Sequence, residues 1–123
     1  MDFIDLRTRA ELLEICGDLE GAERLRAQSF EIAREVDLTC YAYQLMWRDK
    51  IDTAIDLLER GAAAHPHSWN MRHTLGEAYE ILGDYAHAAA NFRMAISLAD
   101  NEATIHTVEE SLRRVAQFEQ VAS

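Results

Sequence analysis

Two stretches of this chain superimpose when one is slid along the other by 34 residues, and no other feature constrains the fold as much. Ala54 lands on Ala88, Leu58 on Phe92, Leu45 on Tyr79, Ala42 on Gly76 and Tyr41 on Leu75. Self-similarity at a period of about 20–50 residues marks stacked supersecondary units, none of which buries its apolar face alone. Such arrays bind more often than they catalyse, because each unit offers a surface and not a pocket.

The composition says which secondary structure fills the period. Half the residues are hydrophobic, Pro66 is the only proline, and five glycines are the only other strong interruptions. Ala, Leu, Glu and Arg dominate the remainder, so the expected fold class is all-α with short connections.

Helical spacing can be followed along the chain. Leu38, Tyr41, Leu45 and Met46 form one stripe, with Asp37 as a plausible N-cap. After Asp49-Lys50 a second stripe holds Ile51, Ala54, Ile55, Leu58 and Ala62, and it stops at Ala64-His65-Pro66. Ser68 caps a third, carrying Met71, Leu75, Ala78, Tyr79 and Leu82. Gly83-Asp84 then supplies a helix stop and a new N-cap. Tyr85, Ala88, Ala89, Phe92, Ala95 and Ile96 make a fourth stripe, ending near Asp100-Asn101. The last helix is expected from about Glu102 to Val121, apolar at Ile105, Val108, Leu112, Val115 and Phe118.

The N-terminal third follows the pattern less closely. Gly17-Asp18 matches Gly83-Asp84, with Leu19 and Ala22 in the places of Tyr85 and Ala88. The helix before it would hold Leu6, Ala10 and Leu13, while Thr8-x-x-Glu11 fits a capping box that would start it later. The expected plan is a single domain over 1–123: a degenerate pair (3–36), two full pairs (35–68 and 69–102) and a capping helix (103–123).

These residues resemble the tetratricopeptide repeat, whose pattern runs W-x2-L-G-x2-Y, then A-x3-F, then P. The second full pair reads Leu75-Gly76-x2-Tyr79, Ala88-x3-Phe92 and Ala95, with Arg72 in the tryptophan slot and Asp100 in the proline slot. The preceding pair supplies Leu38, Tyr41-Ala42-x2-Leu45, Ala54-x3-Leu58, Gly61 and Pro66. Arg72 leaves the start of its helix short of a large apolar side chain, which Trp69 or Met71 can replace.

The resemblance implies a right-handed superhelix of about three helix pairs plus the capping helix, seven helices in all. The first helix of each pair would line a concave groove that takes a peptide or a partner's helix. On that geometry the groove residues are Thr39, Tyr43, Met46, Trp47, Asn70, His73, Glu77 and Glu80, with Val36, Cys40, Thr74 and Ile81 beside them. The degenerate pair would add Ile4, Arg7, Thr8, Glu11 and Ile15, and the last helix Thr104 and Thr107. Members of the family that hold the acidic C-termini of chaperones use a basic clamp here. The matching slots hold Thr39, Tyr43, Thr74, Thr104 and Val108, so no such ligand is expected.

The groove so defined is aromatic and apolar in the middle, with Glu11, Glu77 and Glu80 nearby. It suits a protein or peptide with apolar anchors and basic or polar flanks. Trp47, near a helix end, would instead be ordinary packing if neighbouring units covered it. The alternatives to an adaptor or chaperone-like module are a self-assembling module, dimerising through the last helix, and an accessory subunit of an enzyme.

Charge and motifs narrow the classes further. A formal charge of −10 opposes nucleic acid and anionic membrane surfaces. No apolar run approaches the ~20 residues that cross a bilayer, and the start Met1-Asp2-Phe3-Ile4-Asp5 is acidic where a signal peptide is basic. Cys16 and Cys40 form neither a disulfide framework nor a metal spacing. A cytoplasmic protein is expected. His65-Pro66-His67 with His73, and His73 with His106, lack a third or fourth ligand at a metal spacing. With no phosphate loop or nucleophile elbow in the sequence, no enzyme, cofactor or metal is expected.

Overall fold

The computed structural model describes residues 2–119. Among them are seven helices and no strand: α1 (Phe3–Ile15), α2 (Leu19–Ile32), α3 (Glu35–Trp47), α4 (Ile51–Ala64), α5 (Trp69–Leu82), α6 (Tyr85–Leu98) and α7 (Glu102–Glu119). The all-α expectation is met, and the helix breaks fall where the local chemistry puts them. The stretch of the last helix expected beyond Glu119 lies outside the described residues. The chain divides into two compact units, Met1–Asp37 and Leu38–Ser123.

In the first unit α1 begins at Phe3, not at a later capping box. Asp2 accepts the Asp5 N–H at 2.9 Å, and the Asp5 carboxylate reaches back to the Asp2 N–H. This is the same reciprocal cap that Thr8-x-x-Glu11 would have made, set nearer the start of the chain. Gly17, at φ 91°, then turns the chain, and Asp18 caps α2 through the Gly21 N–H at 2.9 Å. Phe3, Leu6, Ala10 and Ala22 are buried, and Glu14 of α1 pairs with Arg26 of α2. Arg7 does not line an open groove. It is buried, its guanidinium about 6 Å from the rings of both Phe3 and Phe30.

Asp37 is not the N-cap of α3. The helix starts at Glu35, and Asp37 acts from inside its first turn, accepting the Arg34 N–H at 3.0 Å and pairing with its guanidinium at 3.2 Å. Those hydrogen bonds hold the Asp37 carboxyl below its ordinary range.

In the second unit, the turns after α3 and α5 share one geometry. Asp84 N–H reaches the Tyr79 carbonyl at 3.0 Å, and Lys50 N–H reaches that of Leu45 at 2.8 Å, the six-to-one bond of a Schellman turn. Gly83 takes the left-handed residue at φ 89°, and Asp84 caps α6 through the His87 N–H at 3.2 Å. At the other turn Asp49 is forced to φ 62°, and Lys50 offers no side-chain cap. Ser68 caps α5 as expected, accepting the Met71 N–H at 3.1 Å.

The small residues mark close crossings. A Cβ on Gly61 would lie 3.0 Å from Leu38 of α3 and from Met71 of α5; one on Gly76 would lie 2.6 Å from the Phe92 ring of α6. Phe92 is fully buried in a cluster with Ala88, Ala89, Ala95, Val108 and Val115, flanked by Trp69, Tyr79 and Tyr85. Met71 is buried and Trp69 half-buried against the Phe92 cluster, while the Arg72 guanidinium reaches Asn91 at 3.4 Å.

On α7 the apolar stripe points inward. Val108, Ser111 and Val115 are buried, and Ile105 and Leu112 half-buried. Phe118 is half-exposed, its ring centroid 5.2 Å from that of Tyr85. Arg93 of α6 clamps Glu119 with two bonds of 2.9 and 3.0 Å. Of the stripe expected to serve a homodimer, Val108 and Val115 are spent within the unit, while Phe118 keeps 43% of its surface exposed.

Candidate functional site

Within the second unit the polar side chains of α3, α5 and α7 meet in a ladder whose rungs carry the period of the sequence. Tyr43 of α3 donates its hydroxyl to Glu77 of α5 at 2.5 Å, and Arg114 of α7 grips Glu80 of α5 with bonds of 2.6 and 2.7 Å. Both pairs are 34 residues apart, so structurally equivalent positions on successive helices touch. Tyr43–Glu77 is one rung and Glu80–Arg114 the next.

His73 sits between the rungs. Its Nε2 lies 3.1 Å from the Ser111 hydroxyl, and its Nδ1 faces Glu77 at 3.6 Å. The Phe92 ring of α6 and the Trp69 ring lie against it, with centroids at 5.5 and 6.2 Å. Burial pulls the imidazole below its ordinary range, and Arg114 adds to this against the opposing pull of Glu77 and Glu80. The neutral tautomer that suits both neighbours carries its proton on Nδ1 and accepts the Ser111 hydroxyl at Nε2.

Tyr43 as a whole is 44% exposed, while its hydroxyl is committed to Glu77. Burial and the hydrogen bond to Glu77 push its phenol up to about 12. Thr74, 3.5 Å from that hydroxyl, spends its own proton on the Asn70 carbonyl at 2.8 Å. A similar phenol lies on the far side of α5: Tyr79 donates to Glu59 of α4, and burial with that bond raises it to about 12.

The expected groove residues therefore divide. The structure brings Tyr43, His73, Glu77 and Glu80 into one network, with Asn70 half-buried and contributing a carbonyl. Met46 is half-buried, whereas Trp47, at the last position of α3, is 92% exposed, so its ring is not packing between units. Thr39 is a correction: at 4% exposure it belongs to the interior and presents nothing to a ligand. The carboxylates are a second one. Glu77 and Glu80 are already engaged by Tyr43 and Arg114, so they are not open acidic flanks.

The sequence reading did not name Ser111 and put Arg114 on the outer polar face of the last helix, offering Thr104 and Thr107 to the groove instead. Adding the period to Glu77 and Glu80 would have found both. The order Ser111, His73, Glu77 is that of a hydrolytic triad, but Ser111 lies in mid-helix, where the neighbouring N–H groups serve the helix and cannot hold an oxyanion.

In the first unit, Asp2, Phe3, Ile4, Ile32, Arg34 and Asp37 surround an open hollow of about 320 Å³. Among the described residues no group of three or more His, Cys, Asp or Glu is placed to hold a metal ion, and no helix is long and apolar enough to cross a membrane. No protein-family model matches the chain, and no curated protein matches it.

Proposed function

We propose that this chain is a tetratricopeptide-like array, a superhelix of helix pairs whose first helices line a binding face, and that it works as a non-catalytic protein-interaction module in the cytoplasm. The ligand is a peptide or partner helix with apolar anchors and basic or polar flanks. The observation that carries this reading is Trp47, an indole left 92% in water beside the half-exposed Tyr43 ring. One period along, Ile81 is 59% exposed and continues the apolar edge.

Covering a large side chain of this kind is worth about 1.5–3 kcal/mol. Trp and Tyr are also the commonest binding hot spots. With Glu77 and Glu80 held internally, local ion pairs have little to add, so affinity comes from the rings. The −10 charge of the chain acts at longer range and steers basic or polar flanks toward it. The 34-residue contacts between α3, α5 and α7 support the stacked-array half of the proposal.

The test is affinity capture from the source cell with three baits: wild type, Tyr43→Ala/Trp47→Ala, and Asp56→Ala on the exposed outer side of α4. A partner held by wild type and Asp56→Ala but lost by the double variant, with helicity unchanged by circular dichroism, is the expected result. Retention by the double variant would refute the site. Loss of helicity in it would return both rings to the core.

A further inference from the structure

We infer that the turn between α1 and α2 carries a docking surface of its own: Leu12, Ile15 and Leu19 receive the apolar face of a basic amphipathic helix supplied by a protein partner. This surface stands on the first unit alone and does not depend on the Trp47 reading.

Leu12 is 57% exposed, Ile15 81% and Leu19 65%, so three large aliphatic side chains stand in water within the segment 12–19. The same α1 buries Phe3, Leu6 and Ala10 on its other side, so these leucines and the isoleucine are not spent on the unit's core. Leu12 and Ile15 are about one turn apart and share a face of α1, and Leu19 opens α2 just past the turn. The turn itself is fixed. Cys16 N–H reaches the Leu12 carbonyl at 3.0 Å, Asp18 N–H that of Leu13 at 2.8 Å, and the Asp18 carboxylate caps α2. Apolar groups held on such a frame lose little freedom when a partner covers them.

Charge names the occupant. Glu11, Glu14 and Asp18 each precede one of the three apolar residues, Glu20 follows Leu19, and all four acids are exposed. Residues 1–37 hold ten acids and five bases, a net −5 that is half of the chain's −10. Of those bases Arg7 is buried, Arg26 pairs with Glu14 and Arg34 with Asp37, which leaves Arg9 and Arg24 to the open surface. The last turn of α1 holds no base, so the negative end of its dipole adds to the same field. A second copy would bring the same acids to the interface and be repelled. A partner with lysines or arginines beside its apolar residues is attracted instead. An amphipathic helix presents that combination, an apolar stripe at three- and four-residue steps bordered by cations.

The probe is a leucine–lysine peptide of about four helical turns, with leucine–glutamate and serine–lysine peptides of the same pattern as controls. Methyl NMR on the full chain reads where each one binds. The leucine–lysine peptide should shift Leu12, Ile15 and Leu19 together, in wild type and equally in Tyr43→Ala/Trp47→Ala. Ile15→Asp with Leu19→Asp should weaken it at this surface by about tenfold or more. The new acids attract a basic peptide, so a loss there reads the apolar contact. If that variant loses helicity, Ile15→Ser with Leu19→Ser takes its place. No shift at these residues, undiminished affinity in the variant, or equal binding of either control peptide would overturn the inference. So would a concentration-dependent mass in light scattering that the variant abolishes, since a second copy would then be the occupant.

Discussion

Replacing Gly76 with alanine should destabilise the second unit, although the same change in an exposed helix would help. In an isolated helix Gly→Ala gains about 1 kcal/mol of propensity. Here the new methyl would lie 2.6 and 2.7 Å from two carbons of the Phe92 ring and 3.0 Å from a third. Carbon atoms rest at about 3.5–4.0 Å, so something must move by about 1 Å. The ring cannot swing aside, since Phe92 is fully buried among Ala88, Ala89, Ala95, Val108 and Val115. The helices must part instead, and overpacking of this kind costs about 1–3 kcal/mol. The balance for Gly76→Ala is a net loss of about 1 kcal/mol, and Gly76→Leu, which adds three more carbons, should approach or pass 3 kcal/mol. Both tryptophans lie in this unit and Trp69 flanks the Phe92 cluster, so urea unfolding followed by its emission reads the right structure. At this chain length a loss of 1 kcal/mol lowers the melting temperature by about 4 °C. Gly76→Ala combined with Phe92→Leu should be less damaging than the two single changes added together. An alanine variant as stable as wild type, or additive behaviour in the double variant, would refute the crossing.

Two further outcomes follow from the turns and the phenols. Asp49→Gly with Lys50→Asp gives the α3–α4 turn the chemistry of Gly83-Asp84, relieving a left-handed Asp and adding a cap, and should stabilise by about 1–2 kcal/mol in urea unfolding; no gain would mean that the turn is unstrained. At high pH the raised phenols of Tyr43 and Tyr79 favour the folded state below about 10, and that contribution is lost as the pH rises toward about 12. Urea titrations should show the loss, reduced in Tyr43→Phe, and the half-exposure of Tyr43 keeps its share small. A loss unaltered by that variant would remove Tyr43 from the network.

What could be read in advance was governed by short-range chemistry. Gly17-Asp18, Gly83-Asp84, Ser68 and Pro66 set helix ends through atoms within five residues of each other, so their effects needed no knowledge of neighbours. The misreadings also came from local chemistry, where two signals competed. Asp2 and Thr8 both head a capping pattern, and Asp37 works as well from inside the first turn as from the cap. Nothing in a single segment decides between such options; the apolar side chains that must be buried do, and those depend on the partner helix.

The sequence by itself determined that the chain is helical, where most of its helices break, and that two of its stretches repeat at 34 residues. Those properties are written in backbone propensity, capping groups and apolar spacing, all carried by each segment alone. Only the tertiary structure decided that Thr39 faces inward, that Trp47 stands in water, and that Glu77 and Glu80 are engaged by Tyr43 and Arg114. Spacing assigns a residue to a face of its own helix. Whether that face meets solvent, a ring or an opposite charge is set by which helices stack against it and how closely their small residues let them approach.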